Sequence, residues 1–364
     1  MNLLPEIVRR EIAQCGVMPF ARFMELALYC PKHGYYETNK DNPGRRGDFY
    51  TSVGVGELFG QLLAFQFAGW LEGAPSADGG AWIVEAGAHD GKLAKDILSW
   101  LRSNRPGLFG RVEYGIVEPS PTRQEWQRAT LTEFAPRVRW FDRLNDSTNR
   151  RFNGILFGNE LLDSMPVRRF GWSAKDKRWF EWGVVLDGDK FAWAKIAQPE
   201  SSLPSAIREL PSSLLPVLPD VYTIETSPAA ESWWRDAAHA LQRGRLMTID
   251  YGLAAGELFS PSRPQGTLRA YFRHHASEDL LANVGEQDLT AHVNFSAIQA
   301  AGESTGLETE SLQTQSQFLT RILANAAQDC AGEEWIAAHA RQFQTLTHPE
   351  HLGRAFRVLV QLRR

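Results

Sequence analysis

With 364 residues, 43 % of them hydrophobic and 23 % charged, the chain has material for more than one packed lobe. A formal net charge of −4, with no basic run interleaved with aromatics, argues against nucleic acid as a partner; Cys15, Cys30 and Cys330 make neither a disulfide framework nor a zinc ribbon. No apolar run reaches spanning length, and Glu6 and Glu11 stand where a signal or transit peptide would lack acids, so a reducing, cytoplasmic compartment is expected.

The chain opens helical. LPEIVRREIAQC has Pro5 near its start and Gly16 past its end, and a second helix, FARFMELALYC, is closed by Pro31. After a Gly-rich connection, ELFGQLLAFQFAGWLE places Leu58, Leu62, Phe65 and Leu71 at helical spacing. From residue 82 onward, apolar runs alternate with amphipathic helices. WIVEAG, VEYGIVEP, RVRWFD, GILFGNE and RLMTIDYG read as strands; KLAKDILSWLRSN reads as a helix, and Ser120 and Pro121 open another. This alternation predicts an α/β fold, a mainly parallel, doubly wound sheet with helices on both faces. Residues 167–197 interrupt it as a β-meander, with Asp187-Gly188 as a hairpin turn and Trp172, Trp179, Trp182 and Trp193 for packing. The tail from Phe295 supplies a helix, a strand in LETESLQTQ, two helices and the apolar run AFRVLVQL, which closes the sheet antiparallel.

Ligands of such sheets sit at the carboxyl ends of the strands. The loop after the first core strand reads EAGAHDGKLAKD, residues 85–96. His89 and Lys92 stand where a dinucleotide fingerprint starting at Gly87 needs glycine, and the loop lacks the Gly-Lys-Ser/Thr of a triphosphate cradle. What remains is Glu85, then Gly87 and Gly91, which permit close backbone approach. That pattern suits a nucleoside with a charged amino-acid tail, such as S-adenosylmethionine. Glu118, ending the next strand, can accept both ribose hydroxyl protons, and Asp142, after the third, can contact an adenine amino group. The competing reading is structural: Gly87 and Gly91 form a tight turn, Glu118 and Asp142 are solvated, and Asp90 and Lys92 are exposed without a role.

Eight blocks carry a resemblance. FARFMELALYCPKHGYY, GDFYTS with LFGQLLA, EAGAHDGKLAKDIL, GNELLDSMPV, IETSP, IDYG, GTLRAYFRHH and DLTAHVNF follow in this order over nearly the whole chain. Together they resemble the MidA-like class I S-adenosylmethionine-dependent methyltransferases, a family that includes the mitochondrial complex I assembly factor that methylates arginine. The resemblance implies a Rossmann-like sheet of seven strands, mostly parallel, with the last antiparallel. It implies a helical N-terminal extension over 1–75, a donor-binding half of the core over 76–166, an inserted β-rich and helical lobe over 167–240, and the second half of the core over 241–364. It also implies S-adenosylmethionine as cofactor, held at Gly87, Gly91 and Glu118, to which the reading of the strand ends adds Glu85 and Asp142, with Asn159, Glu160 and Asp163 beside the transferred methyl. Two departures stand out. Ala88 and His89 replace a proline and a middle glycine of the family loop, and TSVGVGELFG carries Gly54 where an acid is usual.

Methyl transfer from a sulfonium is an in-line displacement, so the protein mainly aligns nucleophile, carbon and sulfur and excludes water. For an arginine acceptor, carboxylates must hold the guanidinium and draw its charge so that one nitrogen becomes nucleophilic. Glu160 and Asp163 can do so if ELLDSM begins a helical turn with both on one face, Asn159 orienting donor or acceptor. In the plainer reading Asn159 caps that turn and the two acids are solvated. Glu225, Asp250, Tyr251 and His292 are further candidates for an acceptor cleft; the plainer readings are strand-end acids with a capping Ser227, a core tyrosine and a hydrogen-bonded core histidine. Arg269 and Arg273 can pair with cleft acids or bind an acidic stretch of substrate; the plainer reading is surface salt bridging. No metal is expected, because the adjacent His274 and His275 cannot easily share one tetrahedral site.

The expected activity is protein arginine N-methylation, with a protein substrate, a respiratory complex subunit by resemblance, and no nucleic-acid or membrane partner. A homodimer is compatible with this reading. The alternative is a donor-binding assembly factor that docks through the Trp-rich meander without turnover, and measurable turnover discriminates the two. A nicotinamide oxidoreductase is disfavoured by His89 and Lys92.

Overall fold

The computed structural model describes residues 2–38, 51–73, 80–144, 151–273, 275–329 and 333–364. Cys330, His274 and the first four residues of GDFYTS lie outside them. The chain forms two compact units, each assembled from separate stretches. One takes Met1–Asn42, Leu162–Ser232 and Gly252–Ile298; the other takes Pro43–Leu161, Trp233–Tyr251 and Gln299–Arg364. Among the described residues no helix is long and apolar enough to cross a membrane.

The second of these units holds the main sheet. Its strands are β1 (Ala81–Ala86), β2 (Val112–Val117), β3 (Val138–Phe141), β4 (Phe152–Asn159), β5 (Leu241–Leu253), β6 (Glu308–Thr314) and β7 (Phe356–Arg363). They lie in the order β6-β7-β5-β4-β1-β2-β3, and a short eighth strand, Val293–Asn294, pairs in parallel with the end of β5 at Gly252 and Leu253. β3, β2, β1, β4 and β5 pair in parallel, while β7 runs antiparallel to both β5 and β6. The expected single antiparallel strand, supplied by AFRVLVQL, is therefore found. Ile83, Ile116, Ile155, Phe157, Met247, Ile249 and Val358 fill the interior, which explains why these segments read as unbroken apolar runs.

Helix α1 (Leu58–Glu72) buries Leu58 and Leu62 as its spacing predicts, with Phe59, Leu63 and Phe67 completing the face; Phe65 and Leu71 are half-buried. Helix α2 (Lys92–Asn104) turns Leu93, Ile97, Leu98 and Leu101 inward. Helix α3 (Pro121–Thr130) starts as its sequence signal says, with the Ser120 hydroxyl accepting the Arg123 N–H at 3.3 Å.

The other unit contains the meander. Arg168–Ser173, Arg178–Asp187 and Lys190–Ala197 pair antiparallel, and the sheet is extended by Thr223–Thr226 and by Met18–Pro19. Asp187 pairs with Lys190, so the hairpin turn is Gly188-Asp189 rather than Asp187-Gly188, with Gly188 at φ 58°. Trp172 and Trp179 are buried against each other, ring centres 5.4 Å apart, while Trp182 and Trp193 meet edge-on, half-buried. A second small sheet of Arg269–Phe272, His275–Ser277 and Asp288–Thr290 has no counterpart in the sequence reading. Its strands are too short to show alternation.

Candidate active site

The loop after β1 turns because three of its residues take left-handed backbone: Gly87 at φ 74°, His89 at φ 44° and Gly91 at φ 83°. His89 thus takes a backbone conformation that glycine adopts without strain, in a region that histidine tolerates better than most side chains. Its ring meets Trp126 edge-on at 5.9 Å, and its carbonyl accepts the Gln127 amide at 3.0 Å. Asp90 and Lys92 are not the exposed bystanders expected. The Asp90 carboxylate accepts the Lys92 N–H at 3.0 Å, and the Lys92 ammonium donates to the Val53 carbonyl at 2.8 Å.

Glu85 is 2 % exposed and accepts the Tyr114 hydroxyl at 2.6 Å. Burial raises its pKa from 4.5 to about 7, against the lowering effect of that hydrogen bond. A carboxyl that binds its proton more tightly folded than unfolded costs stability once it ionises. Its contribution is therefore lost as pH rises from about 4.5 to 7. We expect Glu85→Gln to gain stability relative to the parent between pH 5 and pH 8, measured as the difference in urea midpoints. An unchanged difference across that range would remove the assignment.

Glu118 is 1 % exposed, which overturns the solvated reading. Its Oε1 accepts the Ser120 N–H at 2.9 Å and faces the Arg123 guanidinium at 2.8 Å; Oε2 accepts the Gln127 amide at 3.3 Å. Asp142, by contrast, is exposed, with the Gln124 amide donating to it at 3.1 Å.

At the end of β4 the helical turn expected of ELLDSM is absent. Glu160 sits at φ 51°, a left-handed conformation that cannot begin a helix, and its N–H donates to the Ile249 carbonyl at 2.9 Å. Asn159 does not cap a helix either: it ends the strand, and its side-chain amide donates to Glu160 Oε1 at 3.1 Å. The Ser52 N–H donates to the same oxygen at 3.0 Å. Burial raises the Glu160 pKa to about 7, these two bonds lower it, and the Asp250 charge raises it again. The Asn159 Oδ1 atom is buried with no hydrogen-bond partner among the described residues.

Asp250, fully buried, accepts the Leu161 N–H at 3.1 Å and the Tyr251 N–H at 2.9 Å. Tyr251 packs its ring 6.0 Å from Phe356. Sequence reasoning missed Ser52, whose hydroxyl also bonds Gln315 at 3.1 Å. No local pattern marks it, since its partners lie more than a hundred residues away.

Asp163 belongs to the other unit, buried, with its carbonyl accepting the Ala291 N–H at 2.9 Å. So does Glu225, which accepts Arg169 Nε at 3.2 Å and the Thr267 N–H at 2.8 Å. Ser227 caps the next helix through the Ala230 N–H at 3.2 Å. Burial, aided by Arg263 and Arg269, pushes the His292 pKa down to about 4, so the ring is neutral near pH 7. Arg269 and Arg273 make no ion pair among the described residues; the former donates to the Leu268 carbonyl and the latter lies over Phe272.

Residues 62–313 match the family described as "Putative S-adenosyl-L-methionine-dependent methyltransferase". A protein from Burkholderia thailandensis whose crystal structure holds S-adenosyl-homocysteine is 35 % identical. It aligns over 99 % of this chain and 92 % of its own, with a TM-score of 0.85. The Drosophila melanogaster protein named protein arginine methyltransferase NDUFAF7 homolog, mitochondrial, is 28 % identical over 98 % of this chain and 84 % of its own. The Homo sapiens protein arginine methyltransferase NDUFAF7, mitochondrial, is 27 % identical over 79 % of this chain and 66 % of its own. With its Rossmann-like sheet of mostly parallel strands and S-adenosylmethionine as cofactor, the chain belongs to this family of S-adenosylmethionine-dependent methyltransferases.

Proposed function

We propose that the chain transfers a methyl group to arginine side chains of a protein partner. The observation that carries the acceptor half is Glu160. Both of its hydrogen bonds fall on Oε1, which leaves Oε2 to meet a cation. A guanidinium drawn onto that oxygen is oriented and has its charge pulled to one side, which frees density on the other nitrogens. With a pKa of about 7 the same carboxyl can take the proton that the product guanidinium releases. Asn159 Oδ1 is a further acceptor for an N–H, and Asp163 is carried over from the resemblance as a second acid. The names of the relatives support arginine as acceptor. A respiratory complex subunit as the substrate rests on the family resemblance.

The residues present fit the donor. The cofactor supplies an electrophilic methyl on a sulfonium. Gly87 is exposed and bare, so backbone there can approach a ligand where any Cβ would stand, and Gly91 turns the chain into α2. Glu118, held in place by Ser120, Arg123 and Gln127, offers its carboxylate to ribose hydroxyls. We further place the chain in a reducing compartment, which the free thiols of Cys15 and Cys30 fit. The cytoplasm is one such compartment, and the mitochondrial names of the relatives point to another.

Calorimetric titration with S-adenosyl-homocysteine should show binding by the parent and a loss of at least about 2 kcal/mol, roughly 30-fold, in Glu118→Ala. Labelled methyl supplied to a lysate from cells lacking this chain should be recovered as methylarginine, faster as pH rises through 7, and not with Glu160→Gln. Label on lysine or on no amino acid would overturn the arginine reading. Binding without any transfer would favour the assembly-factor alternative.

A further inference from the structure

At the edge of the sheet opposite the glycine loop, the amino ends of β1, β4 and β5 and the carboxyl end of β7 border a cavity of about 660 Å³. That is the size of a small-molecule site. Among the described residues five arginines line it, Arg111, Arg243, Arg245, Arg363 and Arg364, against a single acid, Glu72. Some of this charge is already balanced. Arg245 pairs with Glu310 at 2.6 Å, Arg364 with Glu308 at 2.9 Å, and Glu72 with Arg105 at 3.7 Å.

The rest is not. Arg243 is exposed and makes no ion pair among the described residues. The Arg111 side chain donates to the Gly107 carbonyl, at 3.3 Å, and makes no ion pair among the described residues. Arg363 gives Nη2 to the carbonyls of Ala238 and Thr305, while its Nε is buried without a hydrogen-bond partner among the described residues. Among the described residues, three guanidinium groups paired with no carboxylate therefore border one concavity, and their mutual repulsion is relieved by an anion.

The floor is bare main chain. Gly154 at φ 136° and Gly244 at φ 124° pair across β4 and β5, and a Cβ on either would run into the backbone of the neighbouring strand. The walls add Leu71, Leu108 and Leu362, where an uncharged part can pack.

We propose that this cavity is a second ligand site, separate from the donor edge, which takes a phosphate-bearing anion. Three unneutralised guanidinium groups match the multiple charge of a di- or triphosphate better than that of a lone carboxylate, and guanidinium suits phosphate geometry. The uncharged portion of the ligand lies on the leucines.

The test uses the full chain saturated with S-adenosyl-homocysteine, so that the opposite edge is filled. Pyrophosphate and ADP are titrated by calorimetry, and phosphatidylcholine vesicles carrying phosphatidic acid are tested by co-sedimentation. Binding of at least one probe is expected, weakened tenfold or more, about 1.4 kcal/mol, in the Arg111→Glu/Arg243→Glu double variant. Both positions are exposed, and unchanged S-adenosyl-homocysteine binding by the variant shows that it has folded. A response to the soluble probes alone assigns the phosphate to a free metabolite, and a response to vesicles alone assigns it to a lipid headgroup. Failure of every probe to bind, or binding that survives the double variant, overturns the proposal.

Discussion

Gly87→Val is expected to weaken S-adenosyl-homocysteine binding by more than about 100-fold, close to 2.7 kcal/mol, while the protein stays folded. The backbone there is left-handed at φ 74°, and a β-branched residue forced into it costs roughly 1–2 kcal/mol. The added Cβ would come within 2.9 Å of Leu161 Cδ1, a terminal methyl that can swing aside. Folding therefore loses little more than the backbone strain, and the melting temperature should fall by roughly 2–8 °C. The donor loses more, because Gly87 is exposed at the carboxyl end of β1 and valine occupies the space a ligand would take. Gly91 provides the contrast. It is buried at the start of α2, and a Cβ there would lie 3.3 Å from the Gln127 main chain, which cannot swing aside. Gly91→Val should lose stability before affinity. Parental affinity in Gly87→Val would move the donor away from this loop.

Glu225→Ala is expected to destabilise the protein by about 3–5 kcal/mol, the cost of breaking a buried ion pair from one side. Arg169 is nearly buried beside it, and burial already depresses the pKa of the guanidinium against the pull of Glu225. Removing the carboxylate leaves that cation with the Gln265 carbonyl but no counter-charge from Glu225, and takes their carboxylate acceptor from the Thr267 N–H and hydroxyl. Replacing both members, Arg169→Met with Glu225→Leu, should recover much of the loss, because no charge is then stranded. Urea unfolding of the three variants measures this. A Glu225→Ala protein as stable as the parent but inactive would return Glu225 to the acceptor site.

The sheet was legible in the sequence because parallel strands covered on both faces must be apolar throughout, and WIVEAG, GILFGNE and RLMTIDYG are. The start of α3 was legible because Ser120 and Pro121 act within one turn of chain. The end of β4 was not. Glu160 is a non-glycine residue held left-handed by an N–H bond to Ile249 and a carboxylate bond to Ser52, and neither partner is near it in sequence. A local reading of ELLDSM sees helix-forming residues and acids three apart, which is the wrong backbone for that spacing to matter. Glu118 carried the opposite lesson. Its place at a strand end was evident, but its burial depends on Arg123 and Gln127 folding back over it from α3. The union of Gly252–Ile298 with the N-terminal helices follows from contacts distant in sequence, which no periodicity records.

The Ser52 N–H on Glu160 and the Val53 carbonyl on the Lys92 ammonium make two neighbouring residues a tie between an acid and the loop after β1. The bond to Glu160 lowers that carboxyl's pKa, so losing it would raise the value further. Anything that lifts this short segment away therefore takes a hydrogen bond from the acid and releases the lysine in the same movement. Charge at the strand end and order in the loop are geared together through two adjacent residues.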